Sequence, residues 1–402
     1  MSLAALIAAY HESDEPEGGL RATLPLAGRT LVERQARLAA AAGADPIVIL
    51  VERVPPELTA AIDRMRSEGI SAAVARSAAE AAEAVHPDDR LLLMADGLVA
   101  DESHVARLTS AGGSALLTMP DQLGDARYER IDADSLWAGL ALIDGDLLKR
   151  TAPQLGEWDL QSTLLRKAVQ GGARHFAVRG EESDDGLVMA ERAEDLAEAE
   201  AAIVESAGAS RGSWISRYFL APVEQSLTRL LMPSSVTPGW LYVGAAVLIG
   251  LAGLLFARGW LLSGMLLLLL STPLDGASDR LALLRMQRSG APDWWGYTLP
   301  LIAGIALAAL GYSLGQTRGW GCFALVAGTV AFMIALYGET EGQEVRGHHW
   351  LAEPKGMAWL LLPFGLTGNW VTGLGALAAF AAGSFFWAQR QIHHRFAAGK
   401  QD

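Results

Sequence analysis

The chain has 402 residues, long enough for two or three domains. Its formal net charge of −13 excludes the basic footprint that nucleic-acid binding needs. A single cysteine, Cys322, excludes both a disulfide framework and a cysteine-based metal site. Hydrophobic residues make up 51% of the chain, and they are unevenly spread. Residues 1–213 carry charges throughout, whereas residues 236–389 are dense in Leu, Ala, Gly and Trp.

The first ten residues, MSLAALIAAY, lack a basic stretch and run into HESDEPE, so they read as a buried first strand rather than a signal peptide. Strand-like and helical runs then alternate: TLVERQARLAAAAGA leads to PIVILVE, ELTAAIDRMRSEG to ISAAVA, and AEAAEAV to RLLLMAD. Such alternation predicts a Rossmann-like α/β domain over 1–205, with a parallel sheet covered by helices. Asp96 falls at the C-terminal end of a strand, the usual ligand edge of open α/β sheets. The loop after the first strand offers Gly18, Gly19 and Arg21, but Glu12, Asp14, Glu15 and Glu17 fill it with charge that repels phosphate.

Residues 206–235 form a linker. Within it, WISRYFLAPVEQSLTRLLMP places Ile215, Phe219, Leu220, Val223, Leu227, Leu230 and Leu231 at helical spacing, with Arg217, Glu224, Gln225 and Arg229 between them. That is the pattern of a helix lying in the headgroup plane, broken by Pro233 and Pro238.

Residues 236–392 contain six apolar segments, near 238–257, 259–274, 295–314, 319–338, 356–367 and 369–389. The second and fifth are short for a bilayer that takes about 20 residues, and the second is expected to continue as helix through Leu274-Asp275-Gly276. An all-α, six-helix transmembrane bundle follows. Arg211, Arg217, Arg229, Arg280, Arg285, Arg288, Arg346, Lys355, Arg390, Arg395 and Lys400 collect on one side, against Arg258 and Arg318 on the other. Positive-inside bias then places both termini, including the 393–402 tail, in the cytoplasm. The loop with Glu339, Glu341, Glu344, His348 and His349 reads as solvated, and the Trp residues near segment ends as an aromatic belt.

The second segment runs into STPLDGASDRLALLRMQRSGAPDWWGYT. Ionised groups at the end of an apolar segment are costly unless they meet a partner, a metal or water. Asp275 and Asp279 stand four apart and share one helix face.

An amphipathic helix, Thr237-Pro238 opening the first membrane helix, and an Asp-rich signature closing the second together resemble the CDP-alcohol phosphatidyltransferase family. The order ISRY, TRLL, TPGW looks most like the branch making inositol phosphodiesters, in which a soluble nucleotidyltransferase is fused ahead of the membrane domain. The resemblance implies an inner-membrane homodimer that displaces CMP from a CDP-alcohol donor with an acceptor hydroxyl, on a lipid or polyol, using Mg2+ or Mn2+. Two registers of the signature remain open. In one, Asp275 is the first metal-binding aspartate and Ser278 takes the second position. In the other, Asp275-Gly276 is the second Asp-Gly pair, Arg280 the family arginine and Asp293 the third aspartate, while Thr272 and Tyr297 replace the first and fourth. By this likeness Asp275, Asp279 and Asp293 hold the metal, with Ser278 beside them. Arg280 and Arg285 face phosphate, and Asp293 accepts the proton of the attacking hydroxyl. The soluble half resembles sugar-nucleotide nucleotidyltransferases, with Asp96 at the metal position, Arg21 in the phosphate loop and Glu191 at a second metal position. Two functions stay open: transfer of a phospho-alcohol group, or a related fold without that activity, acting as a membrane scaffold or regulator of an intact partner enzyme.

Overall fold

In this computed structural model the described residues are 2–16, 18–121, 127–132, 134–155, 159–178, 186–209, 213–232, 234, 236–286, 295–340 and 345–398. They form two compact units, Met1–Glu205 with Leu284–Arg288, and Ser206–Leu283 with Ser289–Asp402.

The first unit is an α/β domain. It begins with β1 (Leu3–Ala8), the short pair β2 (Pro25–Leu26) and β3 (Arg29–Thr30), α1 (Leu31–Ala41), β4 (Ala44–Leu50), α2 (Pro56–Ser67), β5 (Ala72–Ala75), α3 (Ala78–Ala84) and β6 (Arg90–Met94). There follow β7 (Leu98–Val99), α4 (Glu102–Thr109), β8 (Ala115–Pro120), β9 (Ser135–Asp144), α5 (Gly145–Thr151), α6 (Leu160–Gln170), β10 (Arg174–Ala177), β11 (Val188–Met189) and α7 (Leu196–Ala209). Among the described residues seven strands make one sheet in the order β10-β8-β9-β6-β1-β4-β5. The sheet is mostly parallel, as expected, with β9 running antiparallel to both β6 and β8. Residues Leu136–Ile143 of β9 are buried without alternation. A strand covered on both faces carries no period from which its direction can be read. At the start of α1, Thr30 and Glu33 form a capping box, and the Glu33 carboxylate accepts from the Thr30 backbone at 2.9 Å.

The second unit is helical. A π-turn over Ser216–Leu220 enters α8 (Ala221–Leu231), whose Pro222 has no N–H to continue an α-helical ladder backward. Then come α9 (Pro238–Ala257), α10 (Leu261–Leu284), α11 (Trp295–Arg318), α12 (Gly321–Thr340), α13 (Pro354–Leu366) and α14 (Trp370–Ala398). As expected, α10 continues through Asp275 and Gly276. Among the described residues five helices are long and apolar enough to cross a membrane; α13, at 13 residues, falls short of that length. Helix α9 packs on α11, and α12 on α14, around Phe256, Leu310, Leu374 and Leu377. Leu254, Leu266, Ile305 and Ile334 point outward, as side chains do where hydrocarbon is the solvent.

In the amphipathic segment Phe219, Val223 and Leu230 are exposed, as a helix in the headgroup plane would present them, while Ile215 and Leu220 are buried. Glu224 and Thr228 are buried too, so this carboxylate looks in rather than toward water.

Candidate functional site

In the first unit, β1 and β6 are parallel neighbours, so the residues following them meet at one sheet edge. The His11 backbone donates to Asp96 Oδ2 at 2.7 Å, and the His11 ring lies 3.5 Å from the same oxygen. The Asp96 side chain is 2% exposed, and its other oxygen, Oδ1, is buried without a hydrogen bond. Gly97 has φ +80°, and a Cβ there would meet the Ala190 carbonyl oxygen at 2.4 Å. Only glycine therefore lets Ala190 N donate to Gly97 O at 2.8 Å. That contact, with the β7–β11 pairing, carries Glu191 to the corner where Asp96 sits.

Arg21 joins the same corner, its backbone donating to His11 O at 3.0 Å. The three sequence-predicted residues are thus brought into one network, but the cation is already engaged. Arg21 pairs with Glu191 at 2.7 Å, and its Nε donates to Glu12 O at 3.1 Å. The loop acids are also held internally: Glu12 by Arg53 at 2.7 Å, and Glu15 by the Ala193 backbone at 2.7 Å. Glu17 lies outside the described residues.

Sequence reasoning missed a second group beside Asp96. Tyr10 donates to Asp159 at 2.5 Å, Asp159 caps α6 by accepting from Ser162 N, and the Ser162 hydroxyl donates to Glu129 at 3.0 Å. Burial pushes the Tyr10 phenol well above its ordinary range, and the Asp159, Asp96 and Glu129 charges add to it. Burial likewise raises Glu129, with Asp159 reinforcing it against the Ser162 hydrogen bond. The signal was present in Tyr10 at a strand end and in Asp159 three residues ahead of Ser162.

In the second unit, Asp275 and Asp279 do share a face of α10, and Lys355 faces both. Its Nζ stands 2.8 Å from Asp275 Oδ2 and 3.2 Å from Asp279 Oδ2. Lys355 lies in the first turn of α13, where Pro354 opens the helix after the N-cap Glu353. Burial pushes the Glu353 carboxyl up to about 7, with the Asp279 and Asp275 charges adding and Lys355 opposing.

The other signature residues are engaged too. Ser278 donates to Pro238 O at 2.8 Å, which ties α10 to the start of α9. Thr272 accepts from Trp359 Nε1 at 3.1 Å. Arg280 Nε donates to Glu224 Oε2 at 3.1 Å, with side chains 9% and 1% exposed. A Cβ on Gly276 would lie 2.2 Å from Glu224 Oε1, so the glycine of the Asp-Gly pair makes room for this carboxylate. Burial raises the Glu224 carboxyl, while Ser216, Arg280 and Lys355 pull it down. Arg285 belongs to the first compact unit. There it is buried, and Arg29, Glu68, Arg37 and Glu33 set its electrostatics. Asp293, the proposed proton acceptor and third aspartate, lies outside the described residues, as do Arg211, Arg288, Glu341, Glu344 and Lys400.

The described residues alone do not assemble a ligand set for the implied divalent metal. Among the described residues, no three His, Cys, Asp or Glu side chains are grouped to hold an ion. An ammonium already bridges Asp275 and Asp279. A dication within about 3.5 Å of it would be repelled by about 9 kcal/mol at an effective dielectric constant of about 20. At the Asp96 corner, the one buried carboxylate oxygen of Asp96 without a hydrogen bond falls short of the several oxygens that magnesium takes. His348 and His349 stand with rings perpendicular, 5.8 Å apart, as expected of a loop rather than a ligand pair.

An apolar cavity of about 1150 Å³ opens within the second unit, lined by residues including Phe256, Tyr297, Leu301, Ile334, Met357 and Leu361. Ordinary small-molecule pockets span about 300–1,000 Å³ and present a few convergent polar groups. This lining suits hydrocarbon.

No protein-family model and no curated protein matches the chain. Among solved structures it is similar to a provisionally assigned glucose-1-phosphate thymidylyltransferase from Bacillus anthracis, solved with a sucrose, at 13% identity and TM-score 0.39, over 50% of this chain and 95% of that one. It is also similar to a nucleotidyl transferase from Methanothermobacter thermautotroptrophicus at 17% identity and TM-score 0.38, over 51% of this chain and 99% of that one.

Proposed function

We propose that this chain is a multi-pass membrane protein with the layout of a fused nucleotidyltransferase and CDP-alcohol phosphatidyltransferase, working as a scaffold or regulator beside an intact enzyme. One observation carries the reading. Most motif residues whose side chains are described already have a partner inside the chain: Asp275 and Asp279 with Lys355, Arg280 with Glu224, Ser278 with Pro238, and Arg21 with Glu191, while Asp96 keeps one buried oxygen without a hydrogen bond. A site awaiting a nucleotide diphosphate and its metal keeps cations and carboxylates free for them. Here the opposite charges meet each other.

The test is CMP release by the full chain in lipid nanodiscs, from a panel of CDP-alcohols with Mg2+ or Mn2+, beside Asp275→Asn. Release no greater than that of the variant supports the scaffold. Release that Asp275→Asn abolishes overturns it.

A second reading, transfer of a phospho-alcohol group to a lipid or polyol hydroxyl, draws on two features. The Asp279 side chain is 63% exposed, and the apolar cavity could take a lipid chain. Inner-membrane residence, cytoplasmic termini and a homodimer through membrane helices belong to both readings.

A further inference from the structure

We infer that the Lys355 ammonium is a built-in cation that takes the place of the divalent ion between Asp275 and Asp279, so that the second unit holds α10 to α13 without metal and acquires a metal site when this side chain is removed. The inference deepens the non-catalytic reading and rests on it.

The position of Lys355 is built by its surroundings. Met357 N donates to Glu353 O at 2.9 Å, which fixes the first turn of α13. A Cβ on Gly356 would come within 2.7 Å of Trp214 Nε1, so that turn is also clamped from the side by an indole. One turn farther along α13, Trp359 donates to Thr272 at 3.1 Å. Lys355 and Trp359 are four apart on α13, and Thr272 and Asp275 are three apart on α10. Both pairs therefore lie along one seam between the two helices, with the ammonium and the indole N–H as its polar ties. The lysine is not a long side chain that has drifted onto an acidic surface; its side chain is 18% exposed, as is that of Asp275.

A divalent ion and this ammonium cannot share two carboxylates, because both are cations reaching for the same oxygens. Two aspartates against one lysine leave the group net negative, since Glu224 is balanced by Arg280, so charge alone would attract an ion. What excludes it is the occupied position. An ammonium tethered by its own helix also has an entropic advantage in occupancy, since its effective concentration does not depend on the surrounding solution.

The experiment compares Mn2+ binding to the full chain in nanodiscs for wild type, Asp275→Asn, Lys355→Met, and Lys355→Met with Asp275→Asn. Wild type and Asp275→Asn are expected to bind equal numbers of ions, and the wild-type melting temperature is expected to be the same in chelator and in Mn2+. Lys355→Met is expected to bind one ion more than the double variant and to be stabilised by it. An ion in wild type that Asp275→Asn removes overturns the inference, as does a Lys355→Met protein that binds no more than the double variant. Should Lys355→Met fail to fold, Lys355→Gln reads the same quantity. The wild-type comparison with Asp275→Asn decides the matter even if neither folds. Failure here is distinguishable from failure of the scaffold reading. CMP release without an Asp275-dependent ion sinks only the latter, whereas an Asp275-dependent ion without CMP release sinks only the former.

Discussion

Glu224→Ala isolates the contact that joins the amphipathic helix to the signature helix. Glu224 and Arg280 meet at 3.1 Å with 1% and 9% of their side chains exposed. At that distance and an effective dielectric constant of about 20, their attraction is about 5 kcal/mol. Desolvating both groups offsets much of this when the pair forms, so the pair itself contributes little net stability. Removing one partner is different, because Arg280 stays buried with no counter-charge, and such losses run to about 3–5 kcal/mol. For a unit of this size that is about 10 °C in melting temperature. Replacing both residues by Met should recover most of the loss, giving a coupling of about 3 kcal/mol in the double-mutant cycle. Gly276→Ala should act through the same contact, since its methyl would enter the space of Glu224 Oε1 at 2.2 Å; it should cost little more once Glu224 is Ala. The assay is thermal unfolding of the full chain in nanodiscs. A Glu224→Ala protein that melts within about 2 °C of wild type, or a double Met variant as unstable as either single variant, refutes the reasoning.

Three further outcomes are expected. Gly97→Ala should destabilise the first unit by about 2–4 kcal/mol, from the left-handed backbone and the displaced hydrogen bond to Ala190, read as a lower urea midpoint by Trp137 fluorescence. For Glu33, burial pushes the carboxyl up, but hydrogen bonds from Arg64 and from the Thr30 backbone and hydroxyl outweigh it and leave the carboxyl below its ordinary range. Between the depressed folded value and the ordinary value of about 4.3 the unfolded chain binds more protons, so this stability is complete above about pH 5 and is lost as pH falls. The deficit of Glu33→Gln relative to wild type should therefore be about 3 kcal/mol at neutral pH and shrink in acid; a deficit that grows on acidification contradicts the sign. Tyr10→Phe should cost about 1 kcal/mol and leave the spectrophotometric tyrosine titration unchanged below about pH 11, because the Tyr10 phenol ionises above that range.

Much of the layout was legible because its signals are local. LAALIA, PIVIL and RLLLM became β1, the body of β4 and β6, and the apolar segment before Asp275 carried on as one helix through Gly276. Strand direction was not legible in β9, where burial on both faces erases the period. The soluble corner was readable in part, since Asp96 at a strand end and Glu191 in its acidic segment do converge with Arg21. The residues that decide the membrane site were not. Lys355 lies 76 residues from Asp279, and Glu224 56 residues from Arg280. Each had a sufficient local explanation, Lys355 as a topology-setting cation and Glu224 as the wet face of an amphipathic helix. A side chain with one adequate local role gives no sign of a second, long-range one.

The pairings in both units follow one physical rule. Carboxylates gathered for a metal and guanidinium groups gathered for phosphate repel their own kind, and burial raises the cost of each unpaired charge. A bound ligand relieves that cost while it is present. If the ligand is no longer used, stability favours any substitution that places an internal counter-ion at the same position. Lys355 with Asp275 and Asp279, Glu224 with Arg280, and Glu191 with Arg21 stand at salt-bridge distance, and on the scaffold proposal they are such counter-ions. Neutralisation of this kind favours the fold and works against binding, because an incoming nucleotide or metal must now break an ion pair before it can form one.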